Sequence, residues 1–230
     1  MRYALFIFVW IAWLAGLGLA RTIAQAPTVS TAAAPAGSPQ TVDGVAARIE
    51  DDLLTESEVR ELSAFQQLVD GQVKSRDEII RELSDQWIVR GEADAAKYPQ
   101  PSPDDIQNAY AKLAGQFPSI QEFKNRYAKA GLTEAAVRRL LAQQLYLSRF
   151  LDYRFRPAAQ VDDKQIEAYF KDEFAPQLKA RGQAVPSLDD VADTIREVLV
   201  LRAINDRATQ WLDEARGQLK IDIVSEGDRT

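Results

Sequence analysis

The chain has 230 residues, with 28 Lys and Arg against 34 Asp and Glu, a formal net charge of −6, and neither cysteine nor histidine. The acidic balance argues against nucleic acid, whose phosphates require clustered Lys and Arg. Without histidine the usual nucleophile–base pair cannot be built, and without cysteine there are no disulfides, thiolate metal sites or lipidated thiols.

Met1-Arg2 and the apolar run 4–20, which contains Trp10, Trp13, Leu14 and Leu17, read as an export signal over residues 1–24. Ala20 and Ala24 offer small residues for processing. The alternative is an uncleaved anchor, because about 17 apolar residues is the lower limit for spanning a hydrocarbon core. Residues 25–41 hold Pro27, Pro35 and Pro39 among Ala, Ser and Thr, with no charge. Such a segment buries too little to offset its ordering entropy and reads as a linker. The body is then 42–224, enough chain for one domain, and 225–230 is a tail.

The body opens with two short apolar stretches on either side of a tight turn near Asp51-Asp52, which predicts a strand pair. Thr55-Glu56-Ser57-Glu58 then fits a capping box, in which hydroxyl and carboxylate satisfy each other's orphan amides. The helix it starts carries Val59, Leu62, Phe65, Gln66 and Val69 at three- and four-residue steps and stops near Gly71. Ser75 opens a second helix with Ile79, Ile80, Leu83, Trp87 and Ile88 on one side. Ser102-Pro103 opens a third with Ile106, Tyr110 and Leu113, and proline is tolerated there because its missing amide would be unpaired anyway.

Ser119 starts a short helix presenting Phe123 and Tyr127, closed by Gly131. Thr133 starts a longer one with the stripe Leu140, Leu141, Gln144, Leu145, Ser148 and Leu151. Asp162 starts the next, with Ile166, Tyr169, Phe170 and Phe174, running to about Arg181. Ser187 caps the last helix, whose stripe includes Val191, Ile195, Val198, Leu199, Arg202, Asn205, Ala208, Trp211, Leu212 and Ala215. At 1.5 Å per residue this helix is roughly 45 Å long. Beyond Gly217 the period changes to two, with Leu219, Ile221 and Ile223 alternating with Lys220 and Asp222. A lone strand is unstable, so the closing strand is expected to pair with the opening ones.

Carboxylate pairs are the chemistry left to a chain of this composition. Asp104-Asp105, Asp162-Asp163 and Asp189-Asp190 fall at predicted helix starts, where negative charge complements the helix dipole, and Asp51-Asp52 falls in the strand turn. No loop has calcium-type spacing and no phosphate-binding glycine loop occurs. No catalytic, metal or cofactor residue is therefore nominated.

Residues 45–59 resemble the start of the SurA-type periplasmic chaperone domain. Residues 161–170, Val-Asp-Asp-Lys-Gln-Ile-Glu-Ala-Tyr-Phe, resemble the Asp-Asp-x-x-Ile-x-x-Tyr-Phe helix of the same proteins, and 195–223 resemble their closing helix and strand. The resemblance implies a mainly α core of about seven helices with a small sheet made by an N-terminal strand pair and a C-terminal strand. Relatives usually insert a parvulin prolyl isomerase domain after the Asp-Asp helix. Here residues 182–186 lead straight into the last helix, too short a stretch to hold a domain.

The function implied is that of an ATP-independent periplasmic holdase without a cofactor. Its partners would be unfolded or nascent envelope polypeptides, and membrane contact would come only through an uncleaved leader. The candidate client-binding residues are Trp87, Tyr110, Phe123 and Tyr127, because the short aromatic helix has least to bury it. The alternatives are an inner-membrane-anchored scaffold for one fixed partner and a residual prolyl isomerase.

Overall fold

The computed structural model describes residues 43–224; the leader, the linker and the tail lie outside the described residues. Both ends of the body meet in one three-stranded antiparallel sheet. Strand β1 (Val45–Ile49) is central, β2 (Asp52–Thr55) returns along one edge, and β3 (Ile221–Ile223) closes the other. The register pairs Ile49 with Asp52 across the hairpin and Ile49 with Ile221 on the far side. An irregularity between Val45 and Ala47 places consecutive residues Ala46 and Ala47 in the core, which strict alternation forbids. Glu50 takes the left-handed region (φ 51°) at the turn, and its amide and carboxylate both bond to Lys220, the residue before β3.

Arg76 locks this junction. Its guanidinium donates to Glu56 at the start of the first helix and to the carbonyls of Ala46 (3.3 Å) and Val224 (3.1 Å). One side chain thus ties β1, the end of β3 and two helix starts together.

The helices begin where the sequence predicts. Helix α1 (Glu56–Asp70) is capped by Thr55, α2 (Arg76–Ala95) by Ser75 and α3 (Pro103–Ala114) by Ser102, and each cap's backbone amide donates in return to the third residue's carboxylate. Ser119, Thr133 and Ser187 cap α4 (Ile120–Lys129), α5 (Glu134–Phe155) and α8 (Leu188–Arg216). Gly71 ends α1 in the left-handed region (φ 67°), where a Cβ would be strained.

Between α5 and α8 the chain makes a single helical rod of three pieces: α6 (Asp163–Tyr169), a π turn (Phe170–Phe174) and α7 (Ala175–Ala180). The π turn has a local cause. Pro176 has no amide to donate, and its ring crowds the carbonyl of Asp172 in a regular α-helix. Widening the turn, with the Ala175 amide reaching Phe170 O, relieves that clash. Counted this way, the described residues hold seven helical rods, one 3-10 turn (Arg156–Ala158) and the sheet, the mainly α architecture expected from the sequence.

Three separate hydrophobic cores hold the rods together. One joins α1, α3, α4 and α5 around Phe65, Leu113, Phe123 and Val137. A second seats the sheet on α1 and α2 through Ala47, Ile49, Leu62, Ile80 and Leu83. The third joins α2, α5 and the C-terminal half of α8 through Val89, Leu147, Phe150, Ala208 and Leu212. The N-terminal half of α8 instead pairs with the α6–α7 rod, where Ile166 and Ile195 are buried and Tyr169, Phe170 and Phe174 remain half-buried.

Candidate functional site

The three cores surround an open space. A groove of about 2080 Å³ runs between α1, α2, α3, α5 and α8, and each core supplies part of its wall. Leu62 comes from the sheet core, Phe65 and Leu140 from the α3–α4 core, and Val89, Leu147 and Leu212 from the α8 core. The local reason lies in the helix stripes. At points where an apolar stripe carries a polar residue, the neighbouring helices do not close. Gln66 on α1 and Gln144 and Ser148 on α5 sit on their helices' apolar stripes, Arg202 and Asn205 on the stripe the sequence predicts for α8, and all line the groove.

The α1–α2–α8 wall is its most charged part. Gln66 donates to Glu82, which also receives Lys74 at 2.7 Å. Asp85, one turn along α2, faces Arg216 of α8 at 3.0 Å. That Arg216 nitrogen is directed at Leu212 O (3.3 Å), so Asp85 Oδ1 accepts no hydrogen bond, and Gln66 Oε1 accepts none either. Burial pushes the Asp85 carboxyl up to about 6 despite the attraction of Arg216. Desolvation also raises Asp70 above its usual value, with Lys74 opposing it. On the α3–α5 side the reverse holds. The Arg149 guanidinium, bidentate on Asp105 at 2.7 and 2.9 Å, and the Ser102 cap hold that carboxyl well below the usual range.

The groove continues towards the α6–α8 arm through Arg202. Its two terminal nitrogens reach Glu173 at 2.9 and 3.0 Å, and its guanidinium lies 5.1 Å from the Tyr169 ring centroid. The half-buried Tyr169 ring at the end of α6 therefore lies beside the groove's α8 wall.

The four aromatic residues nominated from sequence do not line this groove. Tyr110 and Tyr127 are buried and Phe123 is fully enclosed. The expectation that the short helix leaves its rings uncovered is corrected, because α3 and α4 turn them towards each other. The ring centroids of Tyr110 and Phe123 are 5.3 Å apart, and those of Phe123 and Tyr127 are 5.2 Å apart. Trp87 is half-buried between the sheet core and the α8 core, its indole N–H donating to Asp52 at 2.7 Å. Sequence reasoning missed Asp85, Gln143 and the lining role of Gln66. For Gln66 the available signal was a polar residue standing on a predicted apolar stripe; Asp85 and Gln143 stand off the stripes predicted for their helices and carried no such signal.

Among the described residues, no group of carboxylates is arranged to hold a metal ion, and no helix is long and apolar enough to cross a membrane. The groove can offer apolar walls, amide and hydroxyl hydrogen bonds, and charged groups of both signs. No protein-family model matches the sequence, and neither does any curated protein.

Proposed function

We propose that the chain is an ATP-independent chaperone of the cell envelope, which holds extended segments of non-native polypeptide in the groove between its three cores. The observation that carries this reading is the groove itself. At about 2080 Å³ it is larger than small-molecule pockets, which run to about 1,000 Å³. Its lining mixes leucines with amides, so it can take apolar side chains while offering partners to the exposed peptide groups of an unfolded strand. Many weak contacts of this kind accept varied sequences and release them without an energy source. The net charge of −6 restrains self-association. The envelope location rests on the signal-like 1–24 run, and the type of client rests on the resemblance to SurA-type chaperones.

The test is suppression of aggregation of a denatured outer-membrane protein on dilution, with no nucleotide present. Suppression at near-stoichiometric ratios supports the reading. Failure with every client tried, alongside saturable binding to one folded partner, would replace it with a dedicated scaffold.

A further inference from the structure

Strand β3 lies at the edge of the sheet and pairs with β1 alone among the described strands. Two bonds fix how the closing segment faces β1: Glu50 N to Lys220 O and Val224 N to Ala46 O, both 3.0 Å. Bonded residues alternate in an antiparallel ladder, so Lys220, Asp222 and Val224 turn their amides and carbonyls towards β1. Ile221 and Ile223 turn theirs outwards. Among the described residues no hydrogen bond reaches these outward groups. The β2 edge is narrower, because the Thr55 amide is already taken by Glu58 at 2.8 Å.

The same alternation places the side chains. Ile221 and Ile223 share rows with the fully buried Ile49 and Ala47, on the face that packs on α1 and α2. Ile223 is nevertheless 49% exposed, because no fourth strand flanks it. Asp222 stands with Arg48 and Leu53 on the outer face. The edge therefore offers backbone donors and acceptors at every second residue, each beside an apolar side chain. An extended chain matches that spacing, and an open strand edge is a ready template for one.

We infer that the free edge of β3 is a docking site for an extended polypeptide segment. The segment adds antiparallel as a fourth strand, with apolar residues opposite Ile221 and Ile223 and a polar one opposite Asp222. A second copy of this chain fits less well. Pairing β3 with itself about a two-fold axis sets Asp222 directly opposite its counterpart, and each chain carries a net charge of −6. Like charges directly opposite destabilise a sheet, and Lys220, 3.3 Å from Asp222 on the exposed surface, offsets this only in part. A visiting lysine or threonine at that place meets no such repulsion. The alternating pattern selected is that of membrane-spanning β-strands. The assignment of the visitor as a client rests on the holdase reading; the edge itself rests on the ladder.

The experiment titrates fluorescent heptapeptides, alternating valine with lysine or threonine, against the purified chain by anisotropy. Three forms are compared: unmodified, N-methylated at the valines, and N-methylated at the polar residues. In the antiparallel pairing the valine amides face β3, so methylating them should weaken binding about tenfold, and methylating the others by less than about threefold. Hydrogen exchange with the unmodified peptide should slow more at the Ile221 and Ile223 amides than at Asp222, which already bonds to β1. Ile223→Pro removes an outward amide without touching the bonds to β1 and should also weaken the peptide about tenfold, with circular dichroism checking the fold. The methylated peptides decide the matter even if that variant does not fold. No binding, equal sensitivity to the two methylation patterns, or unchanged exchange at both isoleucines would overturn strand addition. Protection that grows with protein concentration in the absence of peptide, together with a dimer mass, would overturn it in favour of a second copy. The holdase reading survives each of these results and fails separately, if aggregation of denatured clients is not suppressed.

Discussion

Replacing Arg76 with methionine tests whether the two ends of the body are held by one side chain. Methionine keeps much of the aliphatic stem and removes the guanidinium. That leaves Glu56 without this partner and takes a donor from the carbonyls of Ala46 and Val224. Breaking a buried ion pair by removing one partner costs about 3–5 kcal/mol. The Arg76 and Glu56 side chains are 22% and 11% exposed, so water recovers part of that loss. The expected cost is about 2–3 kcal/mol. For a body of this size that is a fall of about 5–10 °C in Tm.

Urea denaturation and thermal melts of Arg76→Met, Glu56→Gln and the double variant complete the assay. The double variant should be less destabilised than the sum of the singles by at least about 1 kcal/mol, because removing both partners leaves no uncompensated charge. Hydrogen exchange should show earlier loss of protection at Val224, whose amide bonds to Ala46 O. A single variant within about 0.5 kcal/mol of the wild type, or strictly additive effects, would refute the clamp.

Asp85 gives a pH dependence of defined sign. Its carboxyl is raised from 3.8 to about 6, so the folded state binds a proton that the unfolded chain has already lost. Stability from this group is therefore present at low pH and lost as pH rises from about 4 to about 6. Relative to the wild type, Asp85→Asn should gain about 2 kcal/mol between pH 4 and pH 7 in urea titrations, and parallel profiles would count against the burial. Two glycines should respond oppositely to alanine. Gly71→Ala loses about 1 kcal/mol because its φ is +67°. Gly91→Ala, inside α2 with open space at the Cβ position, gains about 0.5–1 kcal/mol, both read from denaturant midpoints.

The parts of the fold visible in the sequence are those set by neighbours along the chain. Hydroxyl and carboxylate caps at Thr55, Ser75, Ser102, Asp162 and Ser187 act over three residues, and each starts a helix where expected. The period-two run around Ile221 forms a strand, as its alternation implies, and an otherwise isolated strand has only the opening hairpin to join. The burial of α8 was harder to read, because one helix serves two partners. Its C-terminal half packs on α2 and α5 through Ala208 and Leu212, while its other half meets α6, where Ile195 is buried. A single stripe drawn along the helix misses Ile204 and includes Arg202, which is exposed. The π turn is a three-dimensional answer to Pro176 that the apolar pattern does not encode.

The groove lies at the limit of what sequence can show. Gln66, Gln144 and Ser148 were visible on apolar stripes, yet a glutamine on such a face looks the same whether it bonds across a closed core or borders open space. Only the arrangement of five helices decides between them. The aromatic rings misled for a related reason: composition does not say that α3 and α4 will stack Tyr110, Phe123 and Tyr127 on one another.

Site-specific photo-crosslinking tests the central claim most directly. A photoreactive residue is placed at Leu145, half-buried in the groove wall, or at Lys129, exposed on α4 away from it, and irradiated with a denatured outer-membrane protein. The account predicts strong adducts from Leu145 that excess unlabelled unfolded protein competes away, and few from Lys129. Equal labelling from both positions, or none from Leu145 while aggregation is still suppressed, would contradict the groove as the place where polypeptide is held.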